Sequence, residues 1–156
     1  MGWKNRVYVA TEAHGVFYTD TFAGPGVQPT WSPVNDGLAN LNCRMFMLDP
    51  FDEAGRQFVL LTNGDLYRRE NGGPWTKIWS NAESLAFTQT TENQEFGTPQ
   101  NRYIWCDRMV PGRIWINYAP GGVYEGAYWV IGSDDYGATW TRKGCYNGGG
   151  LSYAHG

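Results

Sequence analysis

Three tryptophans, Trp31, Trp75 and Trp140, each close a segment in which an apolar strand enters a glycine-bearing turn and returns. The fullest version is Ser133-Asp134-Asp135-Tyr136-Gly137-Ala138-Thr139-Trp140, which reads S-x-D-x-G-x-T-W. Ser and Asp side chains hydrogen-bond turn backbone groups, Gly accepts φ > 0, and a Trp opening the return strand brings a large apolar area to a buried face. Gly64-Asp65-Leu66-Tyr67-Arg68-Arg69-Glu70-Asn71-Gly72-Gly73-Pro74-Trp75 keeps the entry strand, the glycines and the Trp, with Arg69 and Asn71 replacing Ser and Asp. Gly15-Val16-Phe17-Tyr18-Thr19-Asp20-Thr21 opens the same way and closes at Thr30-Trp31 after a Gly/Pro-bearing insert. A recurring unit constrains architecture before any single residue is interpreted, because units of one kind bury their faces by stacking on one another.

Trp31 and Trp75 lie 44 residues apart, and Trp75 and Trp140 lie 65 apart. A four-stranded repeat takes roughly 40–45 residues, so the second interval carries an excess. Residues 81–102 (NAESLAFTQTTENQEFGTPQNR) hold it. Thr, Asn, Gln, Glu and Gly dominate there and nothing apolar alternates for long, which predicts a long loop between repeats with a short strand over 84–89. No other linker is visible, and residues 1–156 read as a single domain.

The strands fall into sets around the tryptophans. Residues 43–48 (CRMFML), 57–62 (QFVLLT), 65–69 and 75–79 form one set of four, and 103–110, 113–118 (RIWINY), 127–132 (AYWVIG) and 139–142 form another. A partial third set has three strands, 6–10 (RVYVA), 15–19 and 30–33, with no clear first strand ahead of them. β-Branched and aromatic residues fill these runs, Gly, Pro, Asn and Asp punctuate them, and no window sustains a 3.6-residue apolar period. The chain is expected to be all-β.

Hydrophobic residues at 42% and charged residues at 17% suit a folded domain, and 21 Gly suit a chain built of tight turns. Net charge is −3 and no run of Lys or Arg exists to neutralise a phosphate backbone, which argues against nucleic acid as a partner. No apolar stretch reaches the roughly 18 residues a membrane-spanning helix needs. Met1-Gly2-Trp3-Lys4 leads into a strand without a basic segment and an apolar core, so no secretion signal is expected in the chain as it stands. Cys43, Cys106 and Cys145 lack metal-ligand spacing; Cys43 and Cys106 sit in apolar runs, as buried free thiols do.

These residues carry a family resemblance. Asn35-Asp36-Gly37-Leu38-Ala39-Asn40-Leu41-Asn42-Cys43-Arg44 through Leu48-Asp49-Pro50, then Phe58-Val59-Leu60-Leu61-Thr62-Asn63-Gly64-Asp65-Leu66-Tyr67 and Trp75-Thr76-Lys77, resembles the repeat of BNR/Asp-box β-propellers. Residues 133–140 match that group's Asp box, and the resemblance takes in nearly the whole chain outside 81–102. It implies a β-propeller-like array of about three four-stranded antiparallel blades, incomplete as a single-chain ring, since closed propellers use about 4–8. The group spans sialidases, xyloglucan-cleaving hydrolases, sorting-receptor ectodomains, photosystem assembly factors and surface proteins, so it implies a fold more narrowly than an activity. An extracellular or surface-associated location goes with it.

An isolated arc of sheets would expose apolar faces at its two ends. Self-association that completes a ring or stacks copies end to end would cover them. A fragment of a longer propeller, or a compact sandwich of the same hairpins, are the alternatives.

The chemistry points to binding before catalysis. Asp135 is expected to cap its turn together with Ser133, Gly137, Thr139 and Trp140, making the motif a structural element. Arg44, Arg102, Arg108 and Arg113 supply cations for a carboxylate clamp, but the Arg-Ile-Pro opening of sialidases is missing. A glycoside hydrolase is the runner-up function: a sialidase-like one needs a Tyr nucleophile and an acid beside the arginine clamp, a xyloglucanase-like one two facing carboxylates. Asp107 and Asp49 are the candidates, Asp107 being expected instead to pair with Arg108 or Arg102. His14 and His155 have no ligand partners at suitable spacing, so neither metal nor cofactor is expected, and no catalytic residue is assigned.

Aromatic rings crowd the last set, and aromatic surfaces with nearby polar groups make sugar-binding or protein-binding faces. Trp105, Asp107, Arg108, Tyr118 and Tyr124 are the candidate binding residues, with Tyr118 and Tyr124 expected to be exposed beside the 120–122 loop. The expected function is a non-catalytic binding or scaffold module, with a second copy of itself as partner and a glycan or surface protein as further partner.

Overall fold

The computed structural model describes residues 6–22, 26, 28–52, 55–88, 100–119 and 127–147. Among these described residues eleven strands and one helix follow in chain order: β1 (Val7–Thr11), β2 (Gly15–Thr19), β3 (Ser32–Pro33), β4 (Cys43–Leu48), β5 (Gln57–Leu61), β6 (Leu66–Arg69), β7 (Thr76–Trp79), α1 (Asn81–Thr88), β8 (Gln100–Cys106), β9 (Ile114–Ala119), β10 (Ala127–Ser133) and β11 (Thr141–Asn147). They build three antiparallel sheets in the orders β1-β2-β3, β4-β5-β6-β7 and β8-β9-β10-β11. The fold is all-β, with sheets of three to four strands, and the first sheet holds three strands where a full repeat would have four.

The second sheet lies between the other two. Val59, Leu61, Tyr67 and Trp75 pack with Val16 of the first sheet, and Phe58, Leu60 and Leu66 pack with Ile104, Ile114, Ile116 and Ile131 of the third. Because both of its faces are covered, all five residues of β5 are buried, giving the unbroken apolar run FVLL. In β9 burial alternates instead, Ile114, Ile116 and Tyr118 inward and Trp115 and Asn117 partly outward, since among the described residues only one face meets another sheet.

The tryptophan-closed turns tie neighbouring sheets together. Trp140 lies 5.0 Å from the ring of Trp79 and donates its indole N–H to the carbonyl of Ile78 in β7, at 3.2 Å. Trp75 likewise donates its indole N–H to the carbonyl of Val34, just beyond β3. Ile78 follows Trp75 by three residues and Val34 follows Trp31 by three, so one joint occurs twice.

The segment 81–102 departs from the expected loop. Residues 81–88 are helical where a short strand over 84–89 was expected, and β8 already begins at Gln100. Ser80 caps α1 by accepting the Glu83 N–H on its hydroxyl, at 3.1 Å, the S-x-x-E signature of a helix start. Ser84 then anchors the helix from within: its Oγ accepts from the Trp79 indole and donates to Asn101 Oδ1 at 2.7 Å, while Asn101 Nδ2 donates to the Gly64 carbonyl at 2.7 Å. Among the described residues no helix is long and apolar enough to cross a membrane.

Candidate functional site

The turn at 133–140 is built by its own side chains. Ser133 Oγ accepts the N–H groups of Asp135 and Gly137, at 3.2 and 2.7 Å, and donates to Asp135 Oδ1 at 2.7 Å. Asp135 Oδ1 accepts the Thr139 N–H at 2.8 Å and Oδ2 accepts the Thr139 hydroxyl at 2.6 Å. These bonds, first the Thr139 hydroxyl, then its N–H, then Ser133, hold the Asp135 carboxyl down at about 2. Gly137 has φ +89, and a Cβ there would come within 2.5 Å of Ile78 Cδ1. The 69–75 turn reaches a similar end with opposite polarity: Arg69 donates to the carbonyls of Gly72 and Gly73, at 2.9 and 2.8 Å.

Asp107 and Asp49, the two carboxylates considered for hydrolysis, occupy one structural position in successive sheets. Each follows its sheet's first strand. Asp49 Oδ1 accepts from the Phe51 N–H at 3.0 Å and Asp107 Oδ1 from the N–H groups of Met109 and Val110 at 2.7 and 3.2 Å. Each then pairs with an arginine that precedes the second strand, Asp49 with Arg56 at 2.9 Å and Asp107 with Arg113 at 3.6 Å. The partner of Asp107 is therefore Arg113, in place of the expected Arg108 or Arg102. The hairpin between first and second strands brings Arg113 back beside it, whereas Arg108 is exposed in the connecting turn.

Tyr118 also lies elsewhere than expected: it is 2% exposed and packs in the core between the second and third sheets. Its position in β9 has the parity of Ile114 and Ile116, and pairing with Trp129 turns it to the second sheet. Tyr124 falls outside the described residues.

The remaining residues form an aromatic surface on the outer face of the third sheet. Trp105 in β8 pairs with Trp115 in β9, and their rings stack 6.2 Å apart at 21°. Tyr103, two residues before Trp105, is 57% exposed, and Trp105 is 38% exposed. Arg113 holds its guanidinium 5.7 Å from the Trp115 ring and donates to Asp134 at 2.6 Å, and Lys143 donates to the same carboxylate at 2.8 Å. Lys143 and then Arg113 hold the Asp134 carboxyl below its ordinary value, and Asp134 raises Arg113 in turn. The result is an apolar aromatic strip bordered by a triad of two cations sharing one carboxylate, with Asp107 and Arg108 at one end. Asp134 and Lys143 were not among the residues singled out for binding, Arg113 entered only as a cation for a carboxylate clamp and Trp115 only as one of the crowded rings; the alternation of RIWINY, which puts Trp115 on the opposite face from Ile114 and Ile116, was the available signal.

Among the described residues no group of three or more His, Cys, Asp or Glu side chains is placed to hold a metal ion. Comparison with protein-family models, with curated proteins and with solved structures found no match to this chain.

Proposed function

We propose that the chain is a non-catalytic binding or scaffold module of the Asp-box propeller kind, whose three sheets are consecutive blades and whose outer third-sheet face is its binding surface. The observation that carries this reading is the stacked Trp105–Trp115 pair with exposed Tyr103 beside it, on strands whose other face is core. Exposed, mutually stacked rings are costly to leave in water and are favourable to bury against a partner. The tryptophan joint that recurs at Trp75 and Trp140 supports the blade reading. Two copies would bring six such sheets together, inside the range of about 4–8 that closed propellers use. An extracellular or surface location and a glycan or surface-protein partner belong to the same reading.

The test combines sedimentation of the purified chain, a glycan array and a reducing-sugar assay. Self-association or glycan retention without sugar release is the expected result, and replacing Trp105 and Trp115 by Ala abolishes it while the far-ultraviolet spectrum stays that of the parent. Sugar release would move the reading to a glycoside hydrolase. A monomer that retains nothing would sink it.

A further inference from the structure

The two outer sheet faces of the chain match the two halves of a joint the chain already makes twice. Strand register assigns the equivalences. In the first sheet Phe17 pairs with Pro33 and Val9, in the second Tyr67 pairs with Lys77 and Val59, and in the third Ile131 pairs with Arg142 and Ile116. Val59, Tyr67 and Trp75 are buried against the first sheet, and Ile116 and Ile131 against the second. Their counterparts in the first sheet, Val9, Phe17 and Trp31, have no sheet before them among the described residues; Val9 is 39% and Trp31 37% exposed. These are residues of core type in core positions, facing outward.

The third sheet ends with the complementary half. Trp115 pairs with Trp105 and Gly132 as Phe58 pairs with Met47 and Arg68, so Trp115 and Trp105 stand where Phe58 and Met47 meet the third sheet. The acceptor is present too. In β7 the ladder skips Ile78, between the Tyr67–Lys77 and Leu66–Trp79 pairs, and in β11 it skips Lys143, between the Ile131–Arg142 and Val130–Gly144 pairs. A bulge takes its residue out of the ladder, and at Ile78 the freed carbonyl accepts the Trp140 indole. Lys143 is the same bulge residue, three positions after Trp140 as Ile78 is three after Trp75.

We infer that a second copy of this chain docks head to tail, its Val9–Phe17–Trp31 face on the Trp105–Trp115–Tyr103 face, with its Trp31 indole donating to the Lys143 carbonyl. This continues the internal joint into a heterologous contact between copies, and it rests on the reading of the chain as a self-associating module. Each copy presents one half of the joint at each end, so the contact repeats.

Complementation between two face variants tests it. Trp31→Asp spoils one half and Trp105→Asp the other, both at partly exposed positions, with urea midpoints and near-ultraviolet spectra reporting that the folds persist. The expected result is a parent chain that self-associates, single variants that are each monomeric, and a mixture that forms a dimer with one copy of each, because one intact joint remains. If either charged variant unfolds, Trp31→Phe replaces it; losing only the N–H weakens parent-type association by about 2–10-fold. A parent that associates while both variants behave like it, or a mixture that stays monomeric, overturns the joint and leaves self-association standing. A monomeric parent overturns both.

Discussion

The indole nitrogen of Trp140 donates to the main-chain oxygen of Ile78 across 3.2 Å, joining the third sheet to a bulge in the last strand of the second. Trp75 makes the equivalent bond to Val34 one sheet earlier. If these bonds and the ring packing around them are the joint, Trp75→Phe and Trp140→Phe each cost about 1–3 kcal/mol, from a lost part-buried hydrogen bond and lost ring area. Trp31→Phe, in a monomeric chain at low concentration, stays within about 0.5 kcal/mol. Urea unfolding of the three variants makes the comparison, and equal costs at all three positions would contradict it.

Gly137→Ala strains the backbone at φ +89 and drives a methyl toward Ile78 Cδ1, which sits 2.5 Å from the Cβ position. Backbone strain and overpacking act together, and a loss of about 1–3 kcal/mol is expected. Gly26, at φ +87 with open space around it, makes the control: Gly26→Ala carries the backbone term alone and costs less. Chemical denaturation of both variants reads the difference.

Asp135 carries a pH dependence whose sign follows from its bonds. Its carboxyl is held at about 2, below the ordinary 3.8, so the folded state keeps it ionised where the unfolded chain would take up a proton. The contribution is complete above about pH 4 and is lost as pH falls toward 2. Asp135→Ala should flatten stability across that window and cost about 1–3 kcal/mol at neutral pH, where three bonds to the carboxylate are lost. Urea midpoints measured from pH 2 to 7 on both proteins decide it; parallel profiles would refute the assignment.

Burial pushes the Cys106 thiol up to about 12 and raises Cys43 as well. The reactive thiolate is therefore scarce at pH 8 in the folded chain. In a Cys145→Ser background, a disulfide reagent should modify Cys43 and Cys106 slowly until denaturant is added, then stoichiometrically. The sign for stability is also set: between about pH 9 and 12 the unfolded chain releases the Cys106 proton and the folded one keeps it, so stability falls as pH rises, and Cys43 acts in the same direction. Prompt labelling of the native protein would contradict the burial.

Local chemistry made much of the fold legible. β-Branched runs and turn glycines located the strands of all three sheets, and Ser133, Asp135 and Gly137 disclosed their turn because each bonds within eight consecutive residues. The helix was missed although Ser80 and Glu83 carry its cap, because residues 81–88 have almost no apolar stripe. What holds α1 is Ser84 reaching Trp79 and Asn101, and Asn101 is remote in the chain.

The candidate site was legible only in part. Trp105 and Trp115 are aromatic in any reading, yet aromatic residues in alternating strands divide between core and surface. Tyr118 and Trp115 are three residues apart in one strand and go to opposite faces, Tyr118 to the core and Trp115 to the rim. Only the placement of the second sheet against β9 decides which parity is inside.

Sequence alone determined that this protein is a set of antiparallel hairpins closed by tryptophans, because strand propensity and turn geometry act over a few neighbouring residues. Tertiary structure decided which face of each hairpin meets another sheet, that Asp107 pairs with Arg113, and that the carbonyls of Val34 and Ile78 receive the indoles of Trp75 and Trp140. Those outcomes depend on register, and a slip of one residue inverts every side chain, so no local window encodes them.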